Sequence, residues 1–410
     1  MAGVAQVPAR IAASVIQTSI AKSRPSRLKK VDAVPLLDLQ REYRQIREEA
    51  LAAIERVCAS QQFVLGAEVE ALESEIAAYT GAAAAVGCSS GTDALWLALL
   101  ALGVEPGDEV ITTAFSFFAS ASAIARIGAR PVFVDVDPQT LNIDSDKVKA
   151  KLKAEGSYKV RALMPVHLYG QCADMGALRG IVGEFQLPIL EDAAQAIGAK
   201  WADARAGSLG ELATFSFYPT KNLSAYGEAG MVTTRDPELA KHMRSLRNHG
   251  SVRRYYHEEL GWNTRMDAIQ AAVLRVKLKH IDEWNQQRRE RAACYGKLLA
   301  ETGLLSPKAN APVTLLTVSA EAHHVFHQYV IRGRRRDELR KFLSDRKIGS
   351  EIYYPVPLHL QPCFAYLGYR EGDLPESERA AGEVLALPMF PELTADEQKR
   401  VVESIAEFYS

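Results

Sequence analysis

Short apolar runs alternate with helical segments between residues 82 and 235, and few folds accommodate this alternation. The apolar runs are AAAAVGC, DEVITT, RPVFVDVD, VRALMPVHL, LPILED, ELATFSFY and AGMVTTR. The helical segments between them include SSGTDALWLALLAL, ASASAIARIG and DMGALRGIVGEF. Near-continuous apolar strands that alternate with helices are typical of a parallel or mixed sheet covered by helices. The pattern predicts an α/β fold whose ligands bind at the carboxyl ends of the strands.

Helical periodicity flanks this region on both sides. Before it, Leu39, Tyr43, Ile46, Ala50, Ile54 and Val57 recur at steps of three and four. After Arg265, a helical run continues for some thirty residues without Gly or Pro, and a bend near His280 is left open. A smaller α+β region follows, and Thr394 and Glu397 form a possible capping box in its last helix. We predict a leader at 1–34, a large cofactor-binding domain at 35–262, and a long helix with a small domain at 263–410.

The bulk composition narrows the class of protein. The 410 residues carry a formal net charge of -1 and 24% charged side chains, which is ordinary for a globular protein. A nucleic-acid binder normally shows a basic excess, so no nucleic-acid partner is expected. No apolar run approaches the ~20 residues that span a bilayer, so no membrane partner is expected. The five cysteines are scattered without a CxxC pair, so we expect no metal site, free thiols and a cytoplasmic location.

The first 31 residues hold six lysines or arginines and no acidic residue. A basic, acid-free leader is compatible with an organellar transit peptide. A disordered basic tail, or a start codon placed too early, explains the same composition, and we favour these simpler alternatives. The leader takes no part in the fold prediction.

The stretch CSSGTDAL places small and hydroxyl residues at a predicted strand-to-helix turn. Backbone N–H groups at a helix N-terminus bind anions, and glycine allows a ligand to approach the backbone closely. Gly91 and Thr92 are therefore candidate phosphate ligands. Ser, Thr and Asp also begin helices that bind no ligand, and this plain capping role is the stronger reading of the stretch when it is taken alone.

Aromatic and acidic side chains follow the next strands. Phe115, Phe117 and Phe118 crowd one strand end, where an aromatic ring could stack on a planar ligand or simply pack in the core. Asp192 ends a buried strand, which is costly unless the carboxylate meets a positive group such as a protonated pyridine nitrogen. An N-cap role at a helix AAQA explains Asp192 equally well. A lone histidine such as His167, also at a strand end, is more often structural than catalytic.

Lys221 lies in the stretch FSFYPTKNLSAYGEAG, just past a predicted buried strand and five residues after Ser216. Burial lowers the pKa of a lysine and makes its amine a usable nucleophile or base near neutral pH. An amine, a phosphate seat, a stacking aromatic ring and a carboxylate for a ring nitrogen are the parts that hold pyridoxal phosphate. Each part is weak evidence alone, and their joint occurrence at predicted strand ends is strong.

These stretches resemble the DegT/DnrJ/StrS family of PLP-dependent sugar aminotransferases. The resemblance begins at about Pro35 and extends to the C-terminus. It rests on SSGTDAL, EDAAQAIGA, FSFYPTKNL, GEAGMVTT, LRNHG, GWNTRMDAIQAAVL, YYPVPLHLQ and LPMFPELT. It implies the PLP-dependent transferase fold type I, which is aspartate-aminotransferase-like, with a large mixed-sheet domain and a smaller C-terminal α+β domain.

The resemblance also implies roles for single residues. Lys221 would carry the covalent link to pyridoxal 5'-phosphate, Asp192 would pair with the ring nitrogen, and Gln195 would contact the ring hydroxyl. Phe117 would stack on the ring. Gly91, Thr92 and Ser216 would bind the phosphate, and Asn263 would reach the phosphate of the neighbouring subunit in a homodimer. Positions matched to the substrate region are His167, Tyr353, Tyr354 and His359.

The activity implied is transfer of an amino group from L-glutamate to a nucleotide-linked keto sugar. The IYYPVPLHLQPCFAYLGY segment is most similar to members that act on 3-keto sugars, and members that act on 4-keto sugars remain an alternative. UDP and dTDP are not separated. A sugar dehydratase is disfavoured, because relatives of that kind replace the lysine with histidine. A non-catalytic regulatory homologue is disfavoured by the presence of Lys221 and Asp192.

Overall fold

The computed structural model describes residues 32–154, 159–305 and 311–410, so most of the predicted leader lies outside the described residues. The α-helices are α1 (Leu39–Ser60), α2 (Ala67–Thr80), α3 (Gly91–Ala101), α4 (Ala119–Arg126), α5 (Ser145–Lys153), α6 (Met175–Phe185), α7 (Pro237–Leu246), α8 (Ala268–Leu278), α9 (Ile281–Glu301), α10 (Arg336–Asp345), α11 (Pro375–Glu383) and α12 (Ala395–Tyr409). The strands are β1 (Ala84–Cys88), β2 (Glu109–Thr113), β3 (Arg130–Val134), β4 (Val160–Met164), β5 (Leu190–Asp192), β6 (Lys200–Trp201), β7 (Ala204–Arg205), β8 (Leu212–Ser216), β9 (Gly230–Thr234), β10 (Ser251–Arg253), β11 (Tyr256–His257), β12 (Val313–Leu315), β13 (Ala322–His323), β14 (Tyr329–Gly333) and β15 (Val384–Leu387).

A mixed sheet forms the centre of the first part of the chain. The strands pair in the orders β1-β9-β8-β5 and β3-β2-β4. Parallel bridges Leu163↔Ile189 and Val166↔Asp192 join the two groups along β4 and β5. Strand β9 runs antiparallel to β1 and β8, whereas the pairs β5–β8, β2–β3 and β2–β4 are parallel. The predicted mixed sheet is confirmed.

Helices cover both faces of this sheet, because its strands are apolar on both sides. On one face, Leu72 of α2 and Leu274 of α8 pack with Ile111 of the sheet. On the other face, the apolar helix α3 contributes Leu97 and packs with Val110, and α4 and α7 complete the layer. Each fully buried aliphatic side chain of this kind stabilises the fold by about 1.5–3 kcal/mol.

A second, smaller sheet follows in the chain. Strands β12, β14 and β15 pair antiparallel, and their core includes Tyr295 of α9, Leu339 of α10 and Val401 of α12. The capping box at the start of α12 is confirmed: the Thr394 side chain accepts from the Glu397 N–H, and the Glu397 carboxylate accepts from the Thr394 N–H.

The long helical run after Arg265 divides into two helices. Helix α8 ends at Leu278 and α9 begins at Ile281, with His280 between them as the N-cap of α9. The bend left open near His280 is therefore present. The division of the chain at 262/263 stays a prediction. None of the helices in the described part of the chain combines the length and apolar character needed to cross a bilayer.

Candidate active site

The carboxyl ends of β1, β2, β5 and β8 lie along one edge of the mixed sheet. These four strands run in the same direction. Strands β1 and β8 are both antiparallel to β9, β5 is parallel to β8, and β4 runs parallel to both β5 and β2. The residues that follow each strand therefore meet at a common edge, as expected for the ligand side of such a sheet. Every predicted cofactor ligand except Asn263 follows, or ends, one of these four strands.

Asp192 is the last residue of β5 and is 4% exposed. Its Oδ2 accepts a hydrogen bond from the Ser120 hydroxyl at 2.7 Å, and its Oδ1 lies 3.3 Å from the Ala194 N–H. Burial raises the pKa of this carboxyl, while the Ser120 hydrogen bond and the nearby Lys221 charge act against the rise. The segment after Asp192 forms turns and no helix, so the alternative that this residue caps a helix AAQA is wrong.

Lys221 lies in the turn that follows β8 and is partly buried. Its backbone N–H donates to the Tyr218 carbonyl at 2.9 Å, which closes the turn. Burial lowers the pKa of its amine to about 8, even though the attraction of Asp192 opposes this shift. At pH 7 roughly a tenth of the amine is therefore uncharged, compared with less than a thousandth at the ordinary pKa of about 10.4. The uncharged amine is the form that acts as a nucleophile or a base.

The N-terminus of α3 forms a tight seat against β8 and β9. Ser90 caps the helix and accepts from the Asp93 N–H at 3.1 Å. A Cβ on Gly91 would lie 2.5 Å from the Ser216 Cβ, and a Cβ on Gly230 would lie 2.2 Å from the Ser90 carbonyl oxygen. Only glycine fits at these two positions, so the N-terminus of α3 and the Ser216 side chain are held close together. This seat is suited to an anion.

Gln195 connects two aromatic residues at the same edge. Its Oε1 accepts from the Tyr169 N–H at 2.6 Å, and its Nε2 donates to the Tyr354 hydroxyl at 3.0 Å. The Tyr354 ring lies 6.1 Å from the ring of Phe117. Phe117 is 57% exposed, whereas Phe115 is fully buried. Phe118 of the predicted aromatic cluster is also exposed, but its ring packs against Phe364, whereas the exposed ring of Phe117 lies beside Tyr354.

His167 is fully buried and has partners on both ring nitrogens. Nδ1 accepts from the Ala173 N–H at 3.1 Å, so Nε2 carries the proton and donates to Glu191 at 3.0 Å. Glu191 also accepts from the backbone N–H groups of Gly207, Leu209 and Gly210. The pair joins the ends of β4 and β5 to the loop before β8, which is a structural arrangement and leaves His167 no free nitrogen for a substrate.

The three other predicted substrate residues differ in how they are placed. The Tyr354 hydroxyl lies at the site, where it accepts a hydrogen bond from Gln195. The Tyr353 carbonyl accepts from the Tyr169 hydroxyl, and its side chain lines a cavity beside Thr220. His359 is 2% exposed, and its Nε2 lies 3.0 Å from Glu378. His359 is therefore directed into the interior, whereas the two tyrosines border the site.

Asn263 stands apart from the other candidates. It is exposed and forms a bridge with Asn248. The neighbouring Thr264 carbonyl accepts from the Ser89 N–H at 3.0 Å, and the Trp262 ring packs 5.4 Å from that of Trp96 in α3. The segment is anchored beside the α3 seat, but Asn263 itself faces outward from its own chain.

Residues that the sequence analysis missed hold the Lys221 turn. Asn285 Nδ2 donates to the Ile197 carbonyl, so its Oδ1 faces and accepts from Asn222 Nδ2 at 2.8 Å. The Asn222 Oδ1 then faces His327 Nδ1 at 3.1 Å. The Ile197 carbonyl fixes the orientation of the Asn285 amide, which in turn fixes that of Asn222. Since the Asn222 Oδ1 can only accept, His327 carries its proton on Nδ1 and its lone pair on Nε2. Only Asn222, next to Lys221, carried a local signal in the sequence.

His327 lines a small cavity of about 100 Å³ behind the Lys221 turn, together with Thr220, Arg288, Gln328 and Tyr353. Burial lowers the pKa of His327 well below its ordinary value, and the charges of Lys221 and Arg288 lower it further. The cavity thus presents a neutral imidazole beside the amine that the sequence singled out.

The family model for DegT/DnrJ/EryC1/StrS aminotransferases matches residues 44–406. The chain belongs to this family. Its membership agrees with the resemblance and with the fold: a Streptomyces venezuelae structure, DesV, superposes with a TM-score of 0.87 at 44% identity, covering 92% of this chain and 99% of that one. The protein is therefore a transaminase with the PLP-dependent fold, as predicted.

Three curated relatives of this DegT-family chain illustrate the names found among its matches. One from Geobacillus stearothermophilus, 53% identical over 92% of this chain and 98% of its own length, is named a pleiotropic regulatory protein. One from Streptomyces venezuelae, 45% identical with coverages of 92% and 96%, is a dTDP-3-amino-3,4,6-trideoxy-alpha-D-glucose transaminase. One from Acidithiobacillus ferrooxidans, 42% identical with coverages of 90% and 96%, is a UDP-N-acetyl-3-dehydro-alpha-D-glucosamine 3-aminotransferase.

Aminotransferases of the DegT family use pyridoxal phosphate, and a solved relative, Bacillus subtilis NtdA, is described with the bound cofactor PMP (TM-score 0.83, 33% identity, coverages of 93% and 86%). The residues of this chain fit the cofactor. The close approach of Gly91 to Ser216 makes an anion seat, Phe117 offers an exposed ring face, and Asp192 is a buried carboxylate that lacks a close cationic partner within hydrogen-bonding distance in the described residues.

Proposed function

We propose that the protein transfers an amino group from L-glutamate to a keto sugar carried on UDP or dTDP, and that the reacting carbon is C3. The names of the dTDP- and UDP-linked 3-amino sugar relatives support this choice of acceptor. A 4-keto sugar is the alternative within the same family. The biological context we propose is the synthesis of amino sugars and polysaccharides.

One observation carries the proposal: the Lys221 amine has a lowered pKa of about 8 and is electrostatically coupled to the buried Asp192 carboxylate. A reactive amine beside a buried carboxylate is the pair that transamination on a pyridine ring needs. Perturbed groups of this kind cluster at functional sites.

The proposed cofactor ligands divide into three groups by location. At the α3 seat, Gly91, Thr92 and Ser216 bind the phosphate. At the end of β5, Asp192 pairs with the ring nitrogen and Gln195, whose Nε2 has a second hydrogen to donate, contacts the ring hydroxyl. The exposed ring of Phe117 stacks on the cofactor.

Lys221 has two tasks in this proposal. It carries the covalent link to the cofactor in the resting enzyme, and its released amine moves a proton from the Cα atom of the amino donor. When bound, pyridoxal phosphate supplies an exchangeable carbonyl group and a ring that withdraws electrons. Positioned acid–base transfer by one group is typically worth about 10²–10⁴-fold in rate.

The assembly we propose is a homodimer in which Asn263 reaches the phosphate in the partner's site. The exposure of Asn263 and its placement on an anchored segment support this. Large apolar side chains in the preceding segment are exposed as well: Leu260 is 93% exposed and Tyr255 is 78% exposed. Exposed apolar patches of this kind mark interaction surfaces.

For the sugar, we propose that Tyr353 and Tyr354 line the acceptor site. Tyr354 is coupled to Gln195, and Tyr353 borders the cavity beside Thr220. His167 and His359 have carboxylate partners inside the chain, so we propose that they act on the substrate only through the elements they hold.

A substrate panel tests the proposal. Purified protein, L-glutamate and a set of UDP- and dTDP-linked 3-keto and 4-keto sugars are incubated, and the products are identified by mass spectrometry. We expect 2-oxoglutarate and a 3-amino sugar nucleotide. If only a 4-amino product forms, the reacting carbon is C4 and not C3. If no acceptor yields an amino sugar, the proposed substrate class is wrong.

The relative named a pleiotropic regulatory protein raises a second candidate, a regulatory role on the same fold. Loading the protein with pyridoxal phosphate and adding L-glutamate separates the two. An enzyme loses its visible absorption band as the amino group is taken up, whereas a non-catalytic binding module keeps the band.

A further inference from the structure

The Asp192 carboxylate is attached to a short chain of buried hydroxyl groups. The Ser120 hydroxyl donates to Asp192 Oδ2 at 2.7 Å, and the Ser116 and Ser120 hydroxyls lie 2.8 Å apart. Ser120 is 1% exposed and Ser116 is 4% exposed. Ser120 lies in the first turn of α4, and Ser116 lies in the loop before that helix. These two hydroxyl groups thus connect the segment after β2 to the end of β5.

The direction of the hydrogen bonds follows from the charge on Asp192. An ionised carboxylate only accepts, so Ser120 must donate its one hydroxyl hydrogen to Asp192. Ser120 then has no hydrogen left for Ser116, and Ser116 must donate to Ser120. If Asp192 takes up a proton, it can donate instead, and both hydroxyl groups are free to turn. The two serines therefore respond to the ionisation state of Asp192.

We propose that Ser120, supported by Ser116, is a positioning residue that holds the Asp192 carboxylate ionised and in one orientation for the cofactor's ring nitrogen. The inference rests on the proposed function, because it requires Asp192 to pair with that nitrogen. Ser120 occupies Oδ2, and within the described residues the other oxygen, Oδ1, has only the long contact to the Ala194 N–H. Oδ1 is thus the oxygen left for the cofactor.

The surroundings of Asp192 show why a hydroxyl donor is needed there. Burial disfavours the ionised form of this carboxyl. Among the described residues, the titratable groups that face it are the Lys221 amine, the His167 imidazole and the Tyr354 hydroxyl. Both ring nitrogens of His167 are already engaged with Ala173 and Glu191, and Lys221 is engaged with the cofactor when it is bound. Ser120 supplies a donor that does not depend on either group.

A purely structural role for Ser120 makes a different prediction. Its backbone N–H already bonds to the Phe117 carbonyl at 3.2 Å, so loss of the hydroxyl leaves that turn closed. If the hydroxyl mattered only for packing, its removal would lower thermal stability without changing how the loaded protein titrates with pH. A positioning role changes the titration itself.

The experiment compares Ser120→Ala and Ser120→Cys, which keeps the volume, with Ser122→Ala as a control on the same helix. Asp192→Asn is measured alongside. The readouts are the dissociation constant of pyridoxal phosphate, the pH dependence of the visible absorbance of the loaded protein, and thermal unfolding of the apoprotein. We expect both Ser120 variants to bind the cofactor roughly 10- to 100-fold more weakly, the range for a hydrogen bond to a charged group.

The pH midpoint of the absorbance should move in the Ser120 variants in the same direction as in Asp192→Asn and by less, and Ser116→Ala should move it least. Ser122→Ala should match the unsubstituted protein. If the Ser120 variants match Ser122→Ala while Asp192→Asn is impaired, the inference is wrong and the proposed function stands. If Asp192→Asn changes neither affinity nor titration, the pairing in the proposed function is wrong and the inference falls with it.

Discussion

At the scale of single residues, the Lys221 amine can be measured directly in the apoprotein. We expect its rate of acetylation by acetic anhydride to rise with a midpoint near pH 8, because burial lowers its pKa to about that value. Mass spectrometry of the peptide that contains Lys221 gives the rate, and bound pyridoxal phosphate should protect the amine. A lysine model peptide, whose pKa is about 10.4, supplies the reference and should react at higher pH.

The Asp192→Asn variant tests the direction in which Asp192 shifts the Lys221 pKa. The Asp192 charge raises the Lys221 pKa, so removing it should shift the midpoint below 8 and speed acetylation at neutral pH. A midpoint equal to that of the lysine model peptide, in either protein, would contradict the environment described for Lys221. The same lowered pKa means that the unfolded chain binds more protons between about pH 8 and 10, so this lysine makes the apoprotein more stable as pH rises through that range.

His327 provides a second residue-scale prediction. Its ring should remain neutral, with the proton on Nδ1, through the pH range in which an ordinary histidine becomes charged, because burial and two neighbouring cations disfavour the charged form. Nitrogen-15 NMR of the histidine side chains distinguishes the tautomers, and His327→Gln identifies the signal. Asn222→Ala removes the partner of Nδ1. An Nε2-protonated ring in the unsubstituted protein would break the chain of amide orientations from Ile197 to His327.

At the scale of elements, the approach of α3 to β8 depends on Gly91. A Cβ at this position would meet both the Cβ and the backbone Cα of Ser216, at 2.5 and 3.0 Å. We expect Gly91→Ala to cost about 1–3 kcal/mol of stability, as overpacking does, and to weaken cofactor binding because the seat opens. Chemical denaturation and a cofactor titration measure the two effects.

The matched control is Gly180→Ala in α6, where a new Cβ meets nothing within 4 Å. Alanine is a better helix former than glycine by about 0.5–1 kcal/mol, so this variant should be slightly more stable. If Gly91→Ala behaves like Gly180→Ala in both measurements, the contact between α3 and β8 does not hold the seat.

At the scale of the whole molecule, the proposed dimer predicts complementation between inactive chains. Lys221→Ala and Asn263→Ala should each give weak or no activity alone. When the two are unfolded and refolded together, mixed dimers contain one site with both Lys221 and the partner's Asn263 intact, and activity should return. Steady-state assays and light scattering, which should report twice the chain mass, follow the outcome.

Mixing Lys221→Ala with Asp192→Ala supplies the control for this experiment. Both residues belong to the same chain's site in our proposal, so a mixed dimer has no intact site and should stay inactive. Recovery in this control, or failure of the first mixture although mixed dimers form, would show that the sites are composed differently.

The sequence by itself determined the mixed sheet, the α3 cap, the capping box of α12 and the candidates at the strand ends. These features depend on apolar periodicity and on residues within a few positions of each other, so a linear pattern carries them. The strand ends were informative for the same reason: Asp192 and Ser216 are placed by the strands that precede them, and parallel strands bring their carboxyl ends to one edge.

Only the tertiary structure decided which of these candidates touch, and which other residues support them. Ser120 is 72 positions from Asp192, and Tyr354 is 159 positions from Gln195. Asn222 has two such partners: Asn285 comes from α9, and His327 comes from the segment before β14. Such contacts depend on how separate elements pack. No local pattern records them, because the burial that gives Asp192, Lys221 and His327 their unusual pKa values exists only once those elements have come together.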